Sequence, residues 1–504
     1  MSLTPTPPFP FLSLRSSRLV AVAAALLLVA CAAPPAPFDK SGPSDQSERL
    51  AAMPVNADVA SAVAEISAQR IESRIHTLVG FGTRHTLSET GSGTRGIGAA
   101  RRWIERELQT CSSAAGGRLQ VTTDDFIAPA GGRVARPTQL VNVVATLPGT
   151  DPLASQRLLV VSGHYDSRVS DVGNATADAP GANDDASGVA AVMEMACVMA
   201  GHRYGATLVF MAVPGEEQGL LGAEHWAEQA RRKGLRVDAM ITNDIIGSPV
   251  GDAGQRDAHQ VRLFADGLTP LLQTALAPAK AGSAADAEAA VAVQTLRAKI
   301  DAQVRAGGSA DFRPNQLGRH LKQAGERYVS GFTVNLIQRP DRYLRGGDHL
   351  PFLTRGFAAV RFTEPFENFA HQHQDIRTEG ALRYGDLPEF VDYAYVADVA
   401  RVNLAGLATL ALAPAAPQNV AIETIELSND TTLRWDPVAE TGLAGYRVVW
   451  RVTGSPVWQN ARDVGKVTRV TLPVSKDNVI FGVESLNAEG NASTASFPLP
   501  LSRR

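Results

Sequence analysis

Four short apolar runs rich in β-branched residues constrain this chain most. QLVNVVATLPG, RLLVVSGHYDS, ATLVFMAVPGEE and DAMITNDIIG each have the length of a strand, and each ends in polar residues. Helical patterns lie between them, SGVAAVMEMACVMAGH and LLGAEHWAEQARRKG. Strands that alternate with helices form a sheet covered on both faces, so the expected class is α/β, a mixed central sheet with helices on both sides. In such sheets ligands gather at the carboxyl ends of the strands. The polar residues of these runs fall there.

Those ends carry an unusual set of side chains. GHYDS brings His164 and Asp166, PGANDDASG brings Asp184 and Asp185, PGEEQGLLG brings Glu216 and Glu217, and TNDIIGSP brings Asp244. A further cluster, AHQHQD, with His371, His373 and Asp375, follows the late strand pattern GFAAVRFTE. Singly, each has an ordinary explanation. One acid of the Asp184–Asp185 pair caps the helix that follows, where free N–H groups and the helix dipole favour a carboxylate. Jointly the ordinary explanation weakens, because acids converging on one sheet edge repel unless a cation neutralises them. Imidazoles mixed with carboxylates suit zinc, whereas magnesium or calcium favour oxygen alone.

In this order the motifs resemble the co-catalytic di-zinc aminopeptidases, metallopeptidase family twenty-eight, which include bacterial secreted leucyl-type enzymes. The resemblance spans residues 61–410 and implies a zinc exopeptidase fold. It implies that His164 and Asp244 bind one zinc, that Glu217 and His371 bind the other, and that Asp184 bridges the two. Asp185 is then no ligand, and a cis peptide joins Asp184 to Asp185. Asp166 would orient the His164 ring by accepting its other N–H. Glu216 would act as general base towards a metal-bridging water. One departure stands out: many members carry Tyr directly before the last histidine, where this chain has Ala370. Either His373 or Arg345 replaces the phenol as donor, or His373 is the ligand; the H-x-x-x-D spacing to Asp375 favours His371. GGDHLPF, with Asp348 and His349, resembles a loop beside the pocket. The implied substrates are peptides or proteins cleaved at the amino terminus. A carboxypeptidase or a glutaminyl cyclase would use the same fold, and a non-catalytic envelope-binding lipoprotein is the third reading.

The rest of the chain bounds its surroundings. With 504 residues it exceeds one ordinary core, and 44% hydrophobic against 20% charged residues describes a globular protein. A net charge of −3 without a dense Lys/Arg block excludes nucleic acid and anionic membrane surfaces as partners. Arg15 and Arg18 precede LVAVAAALLLVAC, an apolar core too short to span a bilayer comfortably. The segment resembles a lipoprotein signal over residues 1–31, with Cys31 as the lipidated residue and an N-terminal lipid anchor as the sole membrane contact. That implies export to the cell envelope, at the outer membrane. Residues 32–60 read as a Pro/Ser-rich tether, and 61–413 as the catalytic domain. Short alternating strands over 414–504, with Trp435, Tyr446 and FGVESLNAEGN, resemble a fibronectin type III module. Cys111 and Cys197 could pair in an oxidising compartment, but Cys197 lies on an apolar helical pattern, which favours a buried thiol.

Overall fold

The computed structural model describes residues 54–276 and 284–501. The signal segment with Cys31, and most of the tether, lie outside the described residues. Three helices come first: α1 (Ala57–Glu65), α2 (Ala68–Gly80) and α3 (Gly96–Ala114). Asn56 and Ser67 start the first two by accepting first-turn N–H groups on their side-chain oxygens. Strands and helices then alternate as read: β1 (Gln120–Ala128), β2 (Thr138–Leu147), β3 (Arg157–His164), α4 (Ala186–Ala200), β4 (Thr207–Val213), α5 (Leu221–Arg232) and β5 (Arg236–Asn243). The second half adds β6 (Gln260–Phe264), α6 (Leu268–Leu276), α7 (Ala284–Arg305), α8 (Arg313–Tyr328), β7 (Thr333–Ile337), α9 (Leu350–Thr354) and β8 (Ala359–Thr363). A small hairpin, β9 (Arg377–Glu379) and β10 (Leu382–Tyr384), precedes the buried helix α10 (Tyr393–Leu412).

Eight strands form one mixed sheet in the order β1-β2-β4-β3-β5-β8-β6-β7. The centre, β4-β3-β5-β8, is parallel, while β1 and β2 join antiparallel at one side and β6 crosses antiparallel beside β8. The period of two decides which side chains face which layer. Val143, Ala145, Leu159, Val161, Leu208, Phe210, Ala239 and Ile241 pack against α4, α8 and α10 on one face. Their alternates Val144, Val160, Val209, Met211 and Met240 pack against α5 and α9 on the other. Helix α4 is small-residued and buried almost throughout, which lets it lie close under β3 and β5. A Cβ on Gly188 would sit 2.2 Å from the carbonyl oxygen of Asn243, and one on Gly163 would sit 2.7 Å from the Gly188 backbone. Glycine is needed at both points for the strand ends and the helix start to meet.

Beyond α10, β11 (Ala421–Ile422), β12 (Thr431–Arg434), β13 (Gly445–Val452), β14 (Asn460–Gly465), β15 (Arg469–Leu472), β16 (Val479–Leu486) and β17 (Leu499–Pro500) form two small sheets. Their orders are β15-β12-β11-β17 and β14-β13-β16. Leu433, Trp435, Tyr446, Val448, Trp450, Phe481 and Val483 share a separate core, with Trp435 edge-on to Tyr446 at 5.3 Å. Buried ions fasten these sheets to the body. Arg157 pairs with Glu440 at 2.9 Å, and Asp311 holds both Arg319 (3.1 Å) and Arg451 (2.6 Å), whose guanidinium groups approach the Trp458 ring.

One expectation is corrected. Cys197 is not a free buried thiol: it is bonded to Cys111. Helices α3 and α4 lie side by side, with the two Cα atoms 5.1 Å apart, inside the range a disulfide bridges. Because the bond closes a sequence separation of 86 residues, it restricts the unfolded chain substantially. The double variant Cys111→Ala/Cys197→Ala is expected to lose about 2–4 kcal/mol of unfolding free energy, read by denaturant titration.

Candidate metal centre

The carboxyl ends of β3, β4 and β5 deliver the clustered residues to one place. His164 ends β3, Glu216 and Glu217 follow β4, and Asp244 follows β5. Asp184 enters from the turn before α4. Its bond to Asp185 is cis, as the resemblance implied. His164 Nε2 lies 3.1 Å from Asp184 Oδ1 and 3.9 Å from Asp244 Oδ1. On the other side of Asp184, His373 Nε2 lies 2.8 Å from its Oδ2 and 3.0 Å from Glu217 Oε1. Among the described residues two groups therefore have ligand atoms within 4.8 Å of one another, His164–Asp184–Asp244 and Asp184–Glu217–His373, and they share Asp184.

The last histidine is a second correction. The spacing to Asp375 favoured His371, but His371 stacks on Phe390 with ring centroids 3.6 Å apart, away from the acids. Asp375 gives the spacing no meaning, because it accepts a hydrogen bond from Ser170. His373 enters because its own backbone turns left-handed, φ 53°, which aims its ring inward. No sequence signal separates two histidines two residues apart in an irregular loop. Ile245, directly after Asp244, is left-handed as well, φ 61°, a costly conformation for a β-branched residue. The Ile245 carbonyl accepts from the Glu364 N–H and the Thr363 hydroxyl, which hold it there.

The other acids have distinct tasks. Asp185 caps α4 through Gly188 N–H (3.0 Å) and also accepts the main-chain N–H of His164 (2.9 Å). It ties helix start to strand end. Asp166 faces His164 Nδ1 at 3.4 Å and takes the N–H groups of Glu216 (3.3 Å) and Glu217 (3.2 Å). So Asp166 faces the His164 ring and also fixes the loop that carries the next two acids.

Several residues escaped the sequence reading. Asp386 accepts the N–H groups of Asn183 and Asp184, at 2.8 and 2.7 Å, one on each oxygen. Burial pushes its carboxyl up to about 7. Buried Arg84 donates to the carbonyls of Tyr165, Leu78, Pro180 and Gly181 and so braces the turn before Asp184. Arg361, fully buried, meets Asp244 at 2.9 Å and Asp341 at 3.0 Å. Arg168 meets Glu217 at 2.8 Å. These sit in sequence contexts without a motif, so only the fold reveals them. Arg345, an expected donor, is engaged by Glu367 and not by the cluster. Asp348, expected only to shape the pocket, is buried with both carboxylate oxygens unpartnered. Burial pushes it up to about 7; His164 and Arg361 oppose the rise, and Asp166 and Asp244 add to it.

The residues present fit a pair of metal ions. His164 Nε2 and Glu217 Oε1 are buried without hydrogen-bond partners, and both point into the ligand groups. Although burial opposes it, Glu217 and Asp184 push the His373 imidazole up to about 10, and carboxylates hold His164 well above the ordinary range. A site that draws protons onto both imidazoles has more negative than positive charge, and divalent cations supply what it lacks. Imidazole with carboxylate is a zinc donor set.

The model of peptidase family M28 matches residues 142–295. A protein named "Probable zinc metalloprotease Lema_P086240" from Leptosphaeria maculans is 45% identical over 443 residues, covering 88% of this chain and 97% of the relative. A "Probable zinc metalloprotease" from Pyricularia oryzae is 46% identical over 464 residues, 91% of this chain and 87% of the relative. These relatives are fungal. Among solved structures, the aminopeptidase from Aneurinibacillus sp. strain AM-1 aligns at TM-score 0.45 and 15% identity over 70% of this chain and 96% of that one. The glutaminyl cyclase of Porphyromonas gingivalis aligns at TM-score 0.42 and 15% identity over 68% of this chain and 98% of that one.

The geometry separates the two histidines experimentally. His373→Ala is expected to bind one zinc equivalent fewer than the parent in elemental analysis, whereas His371→Ala keeps the full complement. The reverse pattern would return the ligand role to His371.

Proposed function

Because this chain belongs to peptidase family M28 and is a zinc-dependent peptide hydrolase, we propose that it is an aminopeptidase in which Glu216 is the general base. The observation that carries this reading is a carboxylate, Asp184, shared by two ligand groups, with buried Glu216 close enough to His164, Asp244 and Glu217 to feel their charges. His164, Asp184 and Asp244 would hold one zinc, and Asp184, Glu217 and His373 the other. When bound, zinc supplies Lewis-acid chemistry, polarising the scissile carbonyl and making water a better nucleophile near neutral pH.

The chain's own residues do the rest. Burial pushes the Glu216 carboxyl well above the ordinary glutamate range; His164 opposes, while Asp244, Glu217 and Asp348 add to the rise. A base tuned upward accepts a proton from attacking water and keeps it until the leaving amine needs it. The water oxygen bonds to the carbonyl carbon and the carbonyl pair moves to oxygen; that pair then re-forms the carbonyl as the C–N bond breaks, its pair goes to nitrogen, and Glu216 protonates the leaving amine. Asp166 keeps Glu216 aimed through its main-chain N–H. Charge favours the amino terminus of the substrate over its carboxyl terminus. Arg168 and Arg361 are both taken by carboxylates, so a terminal carboxylate finds no free cation there.

The proposal extends to location and build. Export to the envelope through a lipidated Cys31 is supported by the Cys111–Cys197 bond, which persists in oxidising compartments. A fibronectin type III module after α10 is supported by seven strands in two sheets around Trp435 and Tyr446.

Glu216→Gln is expected to lower kcat by about 10²- to 10⁴-fold while keeping its zinc. Peptides should lose one residue at a time from a free amino terminus, and amino-terminally acetylated peptides should be inert. Cleavage of acetylated peptides, or full activity of Glu216→Gln, would reject the reading.

A further inference from the structure

The two ends of the central strands carry opposite charge. Acids gather at the carboxyl ends of β3 and β5, whereas both strands begin on arginines, Arg157 and Arg236, which face each other in register. Beside these amino ends a cavity of about 950 Å³ opens between the sheet, α6, α7, the start of α8 and the C-terminal sheets. A cavity of that size holds a small organic ligand.

Its charge is one-sided. Arg157, Arg236, Lys299, Arg313 and Arg355 line it against two acids, Asp238 and Asp311. Some of these charges are satisfied from outside the lining: Arg157 is held by Glu440, Arg355 by Glu224 and Glu228, and Asp311 by Arg319 and Arg451. Asp238 is left as the counter-charge for Arg236 at 3.3 Å and Arg313 at 3.8 Å, with Arg157 also 3.8 Å away. Lys299 has no acid partner among the described residues. Helix α8 opens at the cavity from Phe312 without a side-chain cap, so the positive end of its dipole adds to the cations. Positive charge therefore concentrates here in a chain whose net charge is −3. The rest of the lining includes an apolar wall. Leu271 of α6 and Leu296 and Ile300 of α7 supply side chains that neither donate nor accept, and Leu353 and Phe357 extend it.

We propose that this cavity binds the anion of a medium-chain fatty acid, its carboxylate at Arg236, Lys299 and Arg313 and its tail along Leu271, Leu296 and Ile300. A bare anion uses the cations and leaves the apolar wall in water; an uncharged hydrocarbon does the reverse. A peptide ending in an apolar residue offers the same head group, but it brings backbone N–H and C=O groups that the leucine and isoleucine side chains leave without partners. The site stands apart from the zinc reading, since cavity and metal centre lie at opposite ends of β3 and β5.

The test is calorimetric titration of the full chain with octanoate, decanoate and dodecanoate, each below its micelle concentration. One-to-one binding is expected, tightening about three-fold per added methylene. Lys299 is exposed and Arg313 is 60% exposed, so charge reversal at either leaves the core untouched. Lys299→Glu should weaken dodecanoate several-fold, and Lys299→Glu/Arg313→Glu by about ten-fold or more. Dodecanoate should raise the melting temperature of the wild type more than that of the double variant, each compared with its own ligand-free form. Dodecyltrimethylammonium, with the same tail and the opposite charge, should not bind. Affinity independent of chain length, phosphate binding as tightly as dodecanoate, or unchanged affinity in the double variant would overturn the proposal. So would tighter binding of an acetylated peptide that ends in a free leucine carboxylate.

Discussion

So many carboxylates meet at the carboxyl edge of the central sheet that each needs a counter-charge, a donor or a proton of its own. Asp166, Asp184, Asp185, Glu216, Glu217, Asp244 and Asp348 crowd a largely buried space, where an unpaired charge costs several kcal/mol. The structure resolves this by giving each acid different work. Asp185 and Asp166 are satisfied by main-chain N–H groups and so act as fasteners. Asp244 and Glu217 each lean on an arginine. Glu216 and Asp348 are pushed towards the neutral form. Asp184 lies between two imidazoles, where it serves both ligand groups.

This distribution depends on backbone placement more than on the acids themselves. Parallel strands bring the ends of β3, β4 and β5 to one edge, and Gly163 and Gly188 let α4 start directly beneath them. Asp386 and Arg84 then hold the turn before Asp184 from behind, through N–H groups and carbonyls rather than through the acid. Left-handed backbone at Ile245 and His373 shows where the surroundings hold a conformation that isolated residues avoid. The centre is thus braced from behind by main-chain contacts, and partly exposed Arg168 meets it through Glu217.

The C-terminal sheets are fastened to the catalytic body by buried ion pairs, Arg157 with Glu440 and Asp311 with Arg319 and Arg451. Breaking such a pair leaves a buried charge uncompensated, at a cost of about 3–5 kcal/mol. Residues in the body therefore depend on partners more than 100 positions later in the chain, and the two parts are stabilised together.

Sequence by itself determined the strand–helix alternation, the mixed sheet and the chemical type of the centre. Those follow from local periodicity and from acids and imidazoles at the ends of apolar runs, which have no other economical explanation. Through the resemblance of its motifs to family M28 it also singled out His164, Asp184, Glu217 and Asp244, all of which fall in the two groups with metal-ligand geometry. Tertiary structure alone brought His373, and not His371, to the acids, because that placement depends on a left-handed turn in an irregular loop. It alone paired Cys111 with Cys197, which requires two helices to lie side by side. It alone revealed Asp386, Arg84, Arg361 and Arg168, whose importance lies in what they touch. Periodicity encodes which face a residue takes, but contact between distant segments is a property of the packed chain.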